Sequence, residues 1–236
     1  YTKPNRTVVM RLNHVKLSTA HVDQLKYFYA EKLGFSLLEE KGKEITFQLG
    51  RSKLTFSENR LQNPYYHFAF NIPNGQLEEA LRWASGRVEV LEYEGKEIHD
   101  FSSWKARAFY FLDPAGNIVE FIARERIEEP FHSAFSAKSI INISEVGLPV
   151  FQVSSAFNAL HENTGIEKFD CKGNTFCACG NDEGLFIIVD KAEKRWFPTE
   201  EAARSYPLSV DFENQGQSFT LHLQPGDSFQ IIRNKD

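Results

Sequence analysis

Residues 65–72, YYHFAFNI, followed by NGQLEEALRWAS at 74–85, decide how this chain is read. The first stretch alternates: Tyr66, Phe68, Phe70 and Ile72 share one face of a strand, while Tyr65, His67, Ala69 and Asn71 share the other. The second stretch has the apolar spacing of an amphipathic helix, with Asn74 as a candidate cap and Gly86 near its end. Three strand candidates come next: RVEVLEYE at 87–94, RAFYFL at 107–112 and NIVEFIA at 117–123.

The same order is present before this stretch and after it. Residues 8–17, centred on LNHVKL, suit a strand, and TAHVDQLKYFYAEKLG carries Val22, Leu25, Phe28, Tyr29 and Leu33 at helical spacing. FSLLEE, EITFQL and KLTFSE then read as three strands separated by the turns KGK and GRS. Residues 125–139, ERIEEPFHSAFSAKS, lose the alternation and contain Pro130, which marks a linker. Beyond it, INISEVGLPVF is a strand, SSAFNALHENTG a helix ending at Gly165, and IEKFD, NTFCACG and GLFIIVD are strands. A fourth, truncated unit passes from YPLSVDFEN through QGQ into a hairpin without a helix. The intervening KAEKRWFPTEEAARSYP reads as an irregular loop or a short helix.

Composition narrows the partners. A net charge of -5 over 236 residues, with no basic stripe, argues against nucleic acid. No apolar run approaches the roughly 18 residues of a membrane helix. A soluble chain working on a small molecule is the expectation. Cys171, Cys177 and Cys179 are too few and too clustered for a disulfide framework, so they are expected as buried free thiols in the cytoplasm. The start at Tyr1, within YTKPNRTVVM, lacks the apolar stretch of a signal peptide.

Four βαβββ-like units in two pairs, with the motifs LNHVKL, YYHFAFNI and YFLDPAGNIVEFI, resemble the vicinal oxygen chelate superfamily. That group includes glyoxalase I, extradiol dioxygenases and the bleomycin- and fosfomycin-resistance proteins. The resemblance implies an α+β fold: a metal-binding domain over 1–126, a linker at 127–139, and a degenerate second domain over 140–236.

Glu120 shares its strand face with Ile118 and Ile122, and an ionised carboxylate buried there needs a partner, a proton or a metal. The resemblance supplies the link: the family's ligand positions fall on His14, His67 and Glu120, a set suited to a divalent Fe, Mn or Zn. Setting ISEVGLP against LNHVKLS places Glu145 where His14 stands, and the remaining positions of the second half hold Leu208 and Gln230. That half therefore reads as a structural partner, a lid or a dimerisation surface.

Tyr110 matches a position where extradiol dioxygenases carry an active-site tyrosine. His99 reads as a solvated loop residue, DPAGN as turn chemistry, and Trp196 with Phe197 as a pocket cap or a loop anchor. His21, His132, His161 and His222 have no partner visible in sequence.

Two functions follow. One is a metal-dependent enzyme acting on vicinal oxygens, of extradiol dioxygenase or glyoxalase (lyase or isomerase) type. The other is a non-catalytic small-molecule or antibiotic binding protein of the bleomycin-resistance type. A homodimer is compatible with either.

Overall fold

A computed structural model describes residues 10–60, 62–131, 133–224 and 228–234. His132 and the first residues of the expected opening strand lie outside them.

The first unit is β1 (Met10–Thr19), α1 (Val22–Lys26), which widens into a π turn over Tyr27–Lys32, then β2 (Ser36–Lys41), β3 (Glu44–Leu49) and β4 (Ser52–Glu58). The second is β5 (His67–Ile72), α2 (Leu77–Ser85), β6 (His99–Phe101), β7 (Ala106–Leu112) and β8 (Ile118–Arg124). The third is β9 (Asn142–Val150), α3 (Val153–Thr164), β10 (Lys168–Lys172), β11 (Phe176–Asn181) and β12 (Gly184–Asp190). The fourth is β13 (Leu208–Asn214), β14 (Gln217–Gln224) and β15 (Ser228–Arg233), with no helix between its strands. The fold is α+β and repeats the unit four times, the last copy cut short.

In each complete unit the first strand runs parallel to the last: β1 with β4, β5 with β8, and β9 with β12. The alternation sorts the faces. Phe68, Phe70 and Phe121 lie in the main core, where Trp83 of α2 stacks on Phe121 with ring centroids 6.3 Å apart. Fully burying each such ring contributes roughly 2–3 kcal/mol. The opposite face of the second and third units carries small residues, Ala69, Ala108 and Ala178, beside Tyr110 and Ile187. Small side chains there leave room for a cavity. At the end of α3, Gly165 takes the left-handed conformation, φ 72°, that closes the helix.

The units pair in a nested order. β1 pairs antiparallel with β13 of the fourth unit, and β5 pairs antiparallel with β9 of the third. One bridge, Leu12 to Ile143, joins the two halves into a continuous sheet network. The expected consecutive domains at 1–126 and 140–236 therefore do not coincide with the strand pairing, which crosses the 127–139 linker in both halves.

Two local expectations also change. RVEVLEYE forms only the isolated bridges Val90–Phe111 and Tyr93–Lys96, and the edge strand is β6 instead. Cys171 and Cys177 are directly opposed on β10 and β11 and form a disulfide, leaving Cys179 as the buried free thiol. The inference from free thiols to a reducing compartment accordingly loses its basis. No described helix is long and apolar enough to cross a membrane.

Candidate metal centre and its cavity

Antiparallel pairing of β5 with β9 sets Ala69 opposite Glu145, and parallel pairing of β5 with β8 sets Ala69 beside Glu120. Both carboxylates therefore converge next to His67. His67 Nε2 lies 3.5 Å from Glu120 Oε2 and 3.8 Å from Glu145 Oε2. Among the described residues, His67, Glu120 and Glu145 form the group of ligand-type side chains close enough to hold one ion, and all three are buried.

The imidazole tautomer is set by its second nitrogen. His67 Nδ1 is 3.1 Å from the Ile118 carbonyl oxygen, which can only accept, so Nδ1 carries the hydrogen. In the neutral ring Nε2 then presents a lone pair toward two carboxylates. Those three electron-rich groups repel one another unless a cation or a proton lies between them, so the donor set suits a divalent ion.

Burial, followed by the Glu145 charge, pushes the proton affinity of Glu120 well above the usual carboxylate range, opposed by Arg124 and by a hydrogen bond from the Tyr110 hydroxyl. Tyr110 stands directly across from Glu120 in the β7–β8 register. Its own phenol is driven well above its ordinary value by burial and then by the Glu120 charge, so it is a donor at neutral pH.

Arg124 is the residue that sequence reading missed. Its side chain is fully buried, donates from Nη2 to Glu145 Oε1 and to Ser144 Oγ, and stacks near Trp104 and Phe169. The guanidinium holds Glu145 in place and offsets one of the two carboxylates. A signal did exist, because Arg124 lies four residues beyond Glu120 and so on the same strand face.

His14 stands elsewhere. It accompanies β1 to β13, where its Nε2 is 2.7 Å from Thr55 Oγ1 and its Nδ1 3.8 Å from Asp211. Burial and then Lys16 lower its pKa. Of the expected His14, His67 and Glu120, the structure brings His67 and Glu120 together with Glu145 beside them and sets His14 apart, because the partner of the second unit is the third. Gly147 faces Ile187 in the β9–β12 register as Ala69 faces Glu120, so the third unit supplies no second carboxylate from its last strand.

Above these groups is a cavity of about 270 Å³ walled by Phe101, Trp104, Tyr110, Trp196 and Phe197. Trp196 is buried with its ring 5.1 Å from that of His67, lines the cavity with Phe197, and sits in KAEKRWFPTEEAARSYP, which is an irregular loop. Only glycine fits beneath it: a Cβ on Gly147 would stand 2.4 Å from Trp196 Cη2. His99, read as a solvated loop residue, is buried on β6 instead, against Phe197 and Tyr110.

Residues 11–121 match the family model described as Glyoxalase/Bleomycin resistance protein/Dioxygenase superfamily. The match spans just under half of the chain and falls on its first two units. Among solved structures, a Bacillus subtilis protein assigned as a dioxygenase is 15% identical, with 95% of this chain and 85% of that one covered and a TM-score of 0.61. Glyoxalase I from Zea mays is 13% identical over 96% of this chain and 93% of its own, with a TM-score of 0.59. At these identities the likeness is one of fold. No curated protein matches the chain.

Proposed function

We propose that the chain is a metal-dependent enzyme acting on a small molecule with vicinal oxygens, by extradiol dioxygenase-type or glyoxalase-type chemistry, with His67, Glu120 and Glu145 as the ligands. The supporting observation is the placing of His67 Nε2 within 3.5 and 3.8 Å of two buried carboxylates, with Nδ1 turned to the Ile118 carbonyl. One imidazole and two carboxylates form a harder set than two imidazoles and one carboxylate, which favours Mn(II) or Zn over the iron facial triad. A divalent ion there supplies Lewis-acid polarisation of adjacent substrate oxygens.

The chain's own side chains do the rest. Arg124 fixes Glu145, the Ile118 carbonyl fixes the His67 ring, and Tyr110 donates to Glu120 or, once a substrate is present, to its oxygen. The aromatic walls exclude water and keep a flat ligand over the carboxylates.

A non-catalytic binding role draws support from Arg124, whose charge partly compensates the pair of carboxylates without any ion. Elemental analysis of protein purified without chelator or affinity metal separates the two readings, with His67→Ala, Glu145→Gln and His14→Ala variants alongside. The enzyme reading expects near-stoichiometric metal in the wild type and in His14→Ala, and its loss in the other two. Absence of metal from all four after anaerobic reconstitution moves the binding role ahead.

A further inference from the structure

The cavity walls carry more recognition chemistry than a chelating pair of oxygens requires. Six aromatic rings line it, Phe176 beside the five already named, and Tyr110 meets Phe197 edge-on at 5.5 Å. Trp196, only 5% exposed, has an indole Nε1 with no hydrogen-bond partner. The ring therefore serves the cavity as an apolar wall.

Three cations, Lys172, Lys194 and Arg195, complete the lining. They are exposed or half-buried, whereas Glu120 and Glu145 are 3% exposed, so positive charge sits at the solvent side and negative charge at the floor. Arg195 is engaged with Glu200, and Lys172 lies 3.7 Å from Asp170. Lys194 has no ion pair among the described residues. The volume, about 270 Å³, falls just below the ~300–1,000 Å³ of drug-sized sites.

We propose that the ligand of this cavity is a single-ring aromatic carboxylate: its ring lies between the aromatic walls, Trp196 among them, and its carboxylate meets Lys194 at the mouth. This rests on the preceding reading for the oxygens that face the floor, but the ring and the carboxylate are recognised by other residues. An aliphatic oxo acid leaves the rings unfilled, and a neutral ring leaves Lys194 unpaired.

The test is a calorimetric titration of the full chain, before and after loading with Mn(II), using catechol, 3,4-dihydroxybenzoate, benzoate and lactate. Loaded protein is expected to bind 3,4-dihydroxybenzoate about tenfold more tightly than catechol, with lactate weakest, one charge-assisted contact making the difference. Lys194→Gln, a change at a half-exposed side chain, should erase that preference while leaving catechol affinity intact. Trp196→Phe should weaken both aromatic ligands and keep their ratio. Equal affinity for catechol and 3,4-dihydroxybenzoate, or a preference unchanged in Lys194→Gln, overturns the inference. Benzoate binding that depends on Lys194, with no gain from Mn(II) for the dihydroxy compounds, instead upholds it while the metal reading fails.

Discussion

Arg124 Nη2 donates to Glu145 Oε1 with both side chains buried, and this contact ties the last strand of the second unit to the first strand of the third. Removing only the cation strands a carboxylate in a low-dielectric site. Arg124→Met is expected to lower stability by about 3–5 kcal/mol in urea unfolding, whereas the double variant Arg124→Met with Glu145→Met recovers most of it. Additive losses would show that the pair is not coupled.

Asp113 accepts hydrogen bonds from the Tyr29 hydroxyl at 2.7 Å, from Asn117 Nδ2, and from the backbone N–H groups of Ala115 and Asn117. Burial nonetheless pushes its pKa up from 3.8 to about 6. A folded pKa above the unfolded one favours folding fully below about pH 4, and that contribution is lost as pH rises through about 6. Tyr29→Phe deletes a donor to the ionised form and raises the folded pKa further. Its destabilisation should be larger at pH 8 than at pH 5, as read from urea midpoints at the two values.

Gly147→Ala brings a methyl group within van der Waals overlap of Trp196, whose ring must then move away from His67. We expect a loss of about 1–3 kcal/mol and red-shifted tryptophan emission as the indole becomes wetter. Unchanged emission and stability would show that the ring has room elsewhere.

The disulfide Cys171–Cys177 closes the hairpin whose Lys172 and Phe176 line the cavity. A cross-link over so short a loop stabilises by about 2 kcal/mol through the unfolded chain. Reductant should therefore lower the Tm of the wild type and leave that of the Cys171→Ser, Cys177→Ser double variant unmoved.

Much of this protein is encoded by neighbours in the chain. The alternation of Tyr66, Phe68, Phe70 and Ile72, the helical spacing of α2 and α3, and the restart of the unit at YYHFAFNI give the fold class, since side-chain period depends only on local backbone geometry. The same alternation sets His67 beside Ala69 and Glu120 between Ile118 and Ile122, which picks both out as polar groups with apolar or small neighbours. RVEVLEYE is a local preference overridden by the sheet: its β-branched and aromatic residues suit a strand, but β7 is flanked by β8 and the short β6, and 87–94 retains only isolated bridges.

Tertiary structure decided the choice of partner strand. His14 and His67 occupy corresponding places in their units, and nothing local says that β1 meets β13 while β5 meets β9. Strand pairing between units is fixed by which apolar faces can be buried together across long stretches of chain, a property of the whole sheet. That pairing brings Glu145 and Arg124 to His67 and leaves His14 hydrogen-bonded to Thr55.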